Sequence, residues 1–157
     1  MAERCVGGLG EPVTYLATWR APAGGPDPGM EERVARHQER RPPGWSLREL
    51  DAGEDLPAVL GQLSGAVLVD SLGTWVAGAS DLTVDADALC DALGRRSGPT
   101  VVVSEEVGLG VHPATPIGRR FREVLGPLNE AVAAVATEVW FVMAGRALPL
   151  GPSPWGP

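Results

Sequence analysis

Four short runs along the chain are almost unbroken in apolar, largely β-branched residues: VTYLA (13–17), AVLVD (66–70), TVVVS (100–104) and VWFVM (139–143). A strand with one wet face would alternate. Runs without alternation predict strands covered on both faces, as in a parallel sheet with helices on either side. Between them, 29–41, 54–63, 85–96 and 116–137 are expected to be helical. The last is the clearest: Ile117, Phe121, Val124, Leu125, Leu128, Val132 and Val135 recur at helical spacing and make one apolar stripe. Strand and helix alternate, so the class is α/β in three layers. The opening residues, MAERCV, read as the back half of a helix. A strand that follows a half-helix belongs to a β-α-β unit whose first strand would lie upstream of Met1.

This pattern says where ligands should bind. In open α/β sheets they sit outside the carboxyl ends of the strands. Those ends carry Ala17-Thr18-Trp19, Asp70-Ser71 and Ser104-Glu105-Glu106, hydroxyls and carboxylates of the kind that hold a nucleotide or its magnesium. Residues 20–29, RAPAGGPDPG, read as a loop. The end of the chain, LPLGPSPWGP (148–157), reads as a polyproline-like or disordered tail, which leaves one α/β domain over 1–150 and a flexible 151–157.

Composition narrows the function classes. Hydrophobic residues make up 44% of the 157 and charged residues 21%, as in a soluble globular domain with a real core. With 13 basic against 20 acidic side chains, no nucleic-acid or anionic-membrane partner is expected, and any anion site must be a local basic patch. Cys5 and Cys90 have no metal-ligand spacing and read as free thiols of a reducing cytoplasm. Met1 is followed by charged residues rather than an apolar leader, and the tract 131–145 is too short to span a bilayer and is interrupted by Glu138. The expected location is the cytoplasm.

Three stretches carry candidate chemistry. In MEERVARHQERRPPGW (30–45), Arg33, His37, Arg40 and Arg41 share one face of a helix and Arg36 adds charge nearby. Guanidinium forks match phosphate oxygens, and neighbouring positive charge disfavours the imidazolium, leaving the neutral imidazole that a nucleophile at phosphorus requires. The same run also reads as an ordinary solvated face. VVVSEEVGLGVHP (101–113) joins two carboxylates to a Gly-x-Gly turn and a histidine; Glu106 could hold a metal or position a hydroxyl, or the loop could simply need glycines with His112 exposed. GAVLVDSLGTW (65–75) ends its apolar run in Asp70, like a Walker B strand.

Together, in this order, these stretches resemble the bifunctional adenosylcobinamide kinase/adenosylcobinamide-phosphate guanylyltransferase family of cobalamin biosynthesis, over essentially residues 1–150. The carriers are YLAT (15–18), RVARHQERRPPGW (33–45), LVDSLGTW (68–75), VVVSEEVGLGVHP (101–113) and the segment 119–150. The resemblance implies a RecA-like P-loop NTPase fold, a mostly parallel sheet flanked by helices. It implies two reactions: phosphorylation of adenosylcobinamide by ATP or GTP with magnesium, then transfer of GMP from GTP through a guanylylated histidine to the substrate phosphate. Matched by position, that histidine is His37, and nucleotide contacts fall at Ala17, Thr18, Trp19, Gln38, Glu39, Arg40, Arg41, Glu49 and Asp70. Adenosylcobinamide and its phosphate are the implied substrates, and a homo-oligomer, a trimer in the resemblance, is the implied assembly.

Two departures and one omission qualify the match. Glu105 stands where the family pattern has asparagine, exchanging a donor for a charge, and Ser71 stands where cysteine is common. The family's first strand and Walker A loop, of the form GGxRSGKS, have no counterpart in this sequence, which holds no GxxxxGK[ST]. The expectation is a kinase and guanylyltransferase whose P-loop is encoded upstream of Met1. The alternative is a truncated, non-catalytic remnant or accessory binding protein of the same family.

Overall fold

The structure, a computed structural model, describes residues 1–10, 12–19, 42–51 and 54–152. It opens with helix α1 (Ala2–Gly7), the expected half-helix, followed by strand β1 (Val13–Ala17). The helix expected over 29–41 lies outside the described residues. Strand β2 (Ser46–Glu49) comes next, then helix α2 (Leu56–Gln62), strand β3 (Ala66–Asp70) and helix α3 (Leu72–Gly78). A 3-10 turn at Ser80–Leu82 leads to helix α4 (Ala86–Arg95), strand β4 (Thr100–Val103) and the long helix α5 (Pro116–Val135). Strands β5 (Val139–Met143) and β6 (Arg146–Leu150) end the fold.

Strands β1 to β4 form one parallel sheet in the order β2-β1-β3-β4. Strand β3 lies between β1 and β4, and the near-continuous apolar runs of β1 and β3 are explained by cover on both faces. Leu16, Val67 and Val69 point to a core completed by Leu56, Val59 and Leu60 of α2, Leu72, Trp75 and Val76 of α3, Leu89 of α4, and Leu125 and Leu128 of α5. Val13, Tyr15, Ala66 and Leu68 point the other way, to a smaller core with Val6 of α1. This is the expected three-layer α/β architecture.

Local signals set the helix starts. Asp85 caps α4 by accepting from the Ala88 amide at 2.9 Å, and Thr115 caps α5 by accepting from Gly118 at 3.2 Å. On α5 the predicted stripe splits: Leu125 and Leu128 are buried, Phe121, Val124 and Val132 pack at the rim, and Ile117 and Val135 at its ends are exposed.

Two expectations are corrected. VWFVM is a strand, as expected, but not one of the parallel sheet. It pairs antiparallel with β6 in a separate two-stranded hairpin, from Val139↔Leu150 to Met143↔Arg146. Consequently residues 148–150, read as the start of a tail, are a strand; Leu148 and Leu150 complete a ladder their Pro- and Gly-rich surroundings concealed. Gly151 and Pro152 follow without regular structure, and 153–157 lie outside the described residues. The fourth member of the parallel sheet is instead β2, which no apolar run announced.

Candidate functional site at the carboxyl edge of the sheet

Because β1 to β4 are parallel, their carboxyl ends meet along one edge. The register there sets three predicted residues side by side: Ala17 is the partner of Glu49 on one flank and of Asp70 on the other. Neighbouring strands lie about 4.8 Å apart, so the backbones of Glu49 and Asp70 stand roughly 10 Å apart with Ala17 between them in the register. Two backbone bonds fix the row: the Leu50 amide donates to Ala17 O at 2.9 Å, and the Thr18 amide donates to Asp70 O at 3.1 Å.

The two faces of this edge are held differently. On the α1 side, the Tyr15 hydroxyl donates to Asp70 Oδ2, anchoring the carboxylate from one strand to the next. On the opposite side, Thr18 and Ser71 are fully buried hydroxyls. Thr18 Oγ1 bonds Ser71 O at 2.5 Å and Thr74 Oγ1 at 2.6 Å. Ser71 caps α3: its hydroxyl accepts from the Thr74 amide while its own amide donates to Thr74 Oγ1 at 3.0 Å.

Glu105 reaches into this cluster from the loop after β4. Its Oε1 accepts from the Ser71 hydroxyl at 2.7 Å and its Oε2 accepts from the Gly73 amide at 3.0 Å. The two departures from the family pattern, Ser71 and Glu105, are thus hydrogen-bonded to each other. The loop is held in turn by Asn129 of α5, whose amide donates to Glu105 O at 3.0 Å and whose Oδ1 accepts from Ser104 Oγ at 2.5 Å. Glu106 instead turns back to accept from the Gly108 amide of its own loop, and His112 is exposed.

Of the predicted residues, Ala17, Thr18, Trp19, Glu49 and Asp70 therefore gather at one edge, with Trp19 half-buried just beyond β1. His37, Gln38, Glu39, Arg40 and Arg41 lie outside the described residues, as does the rest of the basic stripe. Sequence reasoning missed Tyr15, Thr74 and Asn129. A usable signal existed for Thr74, since SLGT directly after an apolar run is a helix-capping pattern. None exists for Asn129, which approaches from 24 residues beyond Glu105.

Among the described residues, no three His, Cys, Asp or Glu side chains come together as a metal site. Both cysteines are free, and neither joins this edge; burial, with Asp87 and Asp91 adding to it, pushes the Cys90 thiol up and keeps it protonated at neutral pH. No helix among the described residues is long and apolar enough to cross a membrane.

Known proteins share this chain's pattern across its length. Residues 1–150 match the family described as cobinamide kinase / cobinamide phosphate guanyltransferase. The bifunctional adenosylcobalamin biosynthesis protein CobP of Pseudomonas aeruginosa is 35% identical over 163 residues, covering 98% of this chain and 91% of that protein. The bifunctional adenosylcobalamin biosynthesis protein CobU of Salmonella typhimurium is 29% identical over 164 residues, covering 92% of this chain and 88% of that protein. CobU of Escherichia coli is 27% identical with the same coverage. The match to residues 1–150 takes in every element of the parallel sheet and its carboxyl edge, and the chain belongs to the cobinamide kinase / cobinamide phosphate guanyltransferase family.

Proposed function

We propose that the carboxyl edge formed by Ala17, Thr18, Trp19, Glu49 and Asp70 holds the guanine nucleotide, and that His37, with Gln38, Glu39, Arg40 and Arg41 beside it, carries the GMP group. The chain is a kinase and guanylyltransferase of cobalamin biosynthesis, the activity of its family. In the first reaction, the aminopropanol hydroxyl of adenosylcobinamide attacks the γ-phosphorus of ATP or GTP and the nucleoside diphosphate leaves. In the second, the neutral imidazole of His37 attacks the α-phosphorus of GTP; a phosphorus–nitrogen bond forms, the α–β anhydride breaks and pyrophosphate leaves. The phosphate of the corrinoid then attacks the same phosphorus, the phosphorus–nitrogen bond breaks, and the imidazole returns to its starting state.

The observation that carries this reading is the in-register row Glu49–Ala17–Asp70. Asp70 and Glu49 are the carboxylates at that row. Either can accept hydrogen bonds from a guanine edge or a ribose, and Ala17 stands between them in the register. Magnesium is not supported in the same way. Among the described residues no three His, Cys, Asp or Glu side chains come together as a metal site.

The test is labelling. Incubation with radiolabelled GTP and magnesium should give a covalent, acid-labile adduct on the protein. His37→Ala should abolish the adduct while phosphorylation of adenosylcobinamide persists. Labelling that survives in that variant would move the transferred group to another residue.

A further inference from the structure

Glu105 belongs to no strand or helix, its residue as a whole is exposed, and yet its carboxylate ends against two buried residues, Ser71 and Gly73. Both oxygens are used there. One takes the only hydroxyl proton of Ser71, a residue 3% exposed, and the other takes the Gly73 amide in the first turn of α3. The approach requires glycine at position 73: a Cβ built there would stand 2.0 Å from Glu105 Oε2. Gly73 therefore leaves the space that the carboxylate fills. An apolar or shorter side chain at 105 would strand two buried donors, and buried donors without partners force the backbone around them to move.

What would move is the turn that carries Asp70. The Ser71 hydroxyl held by Glu105 also caps α3, Ser71 O receives Thr18 Oγ1, and Asp70 O receives the Thr18 amide. The carboxylate of Glu105 thus closes a hydrogen-bonded chain running from the α5 side chain of Asn129, across the end of β4, through the β3–α3 turn, to the end of β1. We infer that Glu105 is a positioning residue for guanine-nucleotide binding: through Ser71 and Gly73 it fixes the β3–α3 turn so that Asp70 and Thr18 stay in row with Ala17 and Glu49. This rests on the reading of that row as the nucleotide site. Among the described residues Glu105 makes no hydrogen bond to the row's side chains, and its effect reaches the nucleotide through the turn.

The experiment compares five variants with the unaltered protein by calorimetric titration of GTP, by KM for GTP and for adenosylcobinamide phosphate, and by thermal melting. Glu105→Ala should weaken GTP about tenfold while the corrinoid KM stays within about twofold. Gly73→Ala should do the same by expelling the carboxylate, although alanine is the better helix residue and does not unfold α3. The double variant should be no weaker than either single one, because both remove one contact. Glu105→Gln, which keeps one acceptor oxygen, should fall between. Asp70→Ala separates the two readings: if it leaves GTP affinity unchanged, the row is not the nucleotide site. If Asp70→Ala weakens GTP and Glu105→Ala or Gly73→Ala does not, the positioning role is overturned. It is equally overturned if both weaken GTP and corrinoid alike together with a lowered Tm, the signature of a merely structural role.

Discussion

Strand β3, AVLVD, keeps its four apolar side chains between 0% and 2% exposed, whereas in β5, VWFVM, Trp140, Val142 and Met143 are 49%, 50% and 65% exposed. The two runs are alike in length, apolarity and β-branching. What differs is their neighbours. Strand β3 is hydrogen-bonded on both edges, with α1 against one face and the core helices against the other. Among the described residues strand β5 pairs with β6 alone, whose Leu148 and Leu150 are themselves 59% and 47% exposed. Apolar character makes a strand willing to be buried; only the surrounding elements bury it. A two-stranded ribbon on its own is marginally stable in water, so the hairpin should be the weaker of the two regions by a wide margin.

The largest effect follows directly. Leu16→Ala in β1, at a fully buried site facing the main core, should cost about 2–5 kcal/mol. For a domain of this size each kcal/mol lowers Tm by about 2–4 °C, so the melt should shift plainly. Val142→Ala in the hairpin should cost about 0.5 kcal/mol or less. The measurement is thermal or urea unfolding of both variants. Equal losses would break the comparison, and would mean that the hairpin's apolar surface is covered in solution.

The same contrast explains which parts of the fold were legible. The strands 13–17 and 66–70 were readable to the residue, because burial on both faces writes itself as an unbroken apolar run. Strand β2, SLRE, was not: it is an edge strand, exposed except for a half-buried Arg48, and its pairing with β1 comes from backbone bonds that leave no apolar signature. The hairpin was read as a fourth parallel strand because periodicity reports willingness to be buried and says nothing of the partner. At the candidate site, Thr18, Glu49 and Asp70 were reached by family resemblance, and strand ends alone pointed to Thr18 and Asp70. Glu49 had no strand to end in the sequence reading; its place in the row is set by register. Glu105 is marked in the sequence as a strand-end carboxylate and as a departure from the family pattern, but not by its partners, since a carboxylate's use depends on donors more than 30 residues away.

A second difference between the regions is that side chains tie the parallel sheet across its strands. At the amino-terminal edge, Arg96 donates to Leu60 O at 2.8 Å, Leu63 O at 2.6 Å and Gly65 O at 2.7 Å, and through Nε to Thr100 Oγ1 at 2.8 Å. One guanidinium thus caps the end of α2 and joins it to the starts of β3 and β4. Burial pushes the Arg96 pKa down. The chain is packed closely here: a Cβ on Gly98 would stand 2.1 Å from Gly65 O. Arg96→Met keeps an apolar stem and removes every donor, and should cost about 2–3 kcal/mol, the range for charged hydrogen bonds lost from a part-buried site. Arg96→Lys should recover only part, since an ammonium cannot fork to four acceptors. GTP affinity should be unchanged in both, because the row proposed to hold the nucleotide is at the opposite edge. Urea unfolding beside a GTP titration checks this; a loss of affinity without a loss of stability would join the two edges functionally.

The smallest effect is confined to the hairpin and sharpens the comparison from its side. The β5–β6 loop is two residues long, Ala144-Gly145, and both have positive φ, 52° and 73°. That is the backbone of the tight hairpin turns whose twist matches the strands, and Asn-Gly is their favoured sequence. Gly145 adopts this conformation freely, but Ala144 carries a Cβ into a region that alanine disfavours. Asparagine tolerates it through its short polar side chain. Ala144→Asn should therefore stabilise the closed hairpin by about 0.5–1 kcal/mol, which slows amide exchange across residues 139–150 by roughly two- to fivefold. If the hairpin opens on its own, ahead of the sheet, exchange in β1 and β3 and the global Tm should stay where they were. Residue-resolved hydrogen exchange on the two proteins reads both. Slower exchange throughout the parallel sheet would show that the hairpin unfolds with the sheet as one unit, and the two regions would then differ in exposure but not in stability.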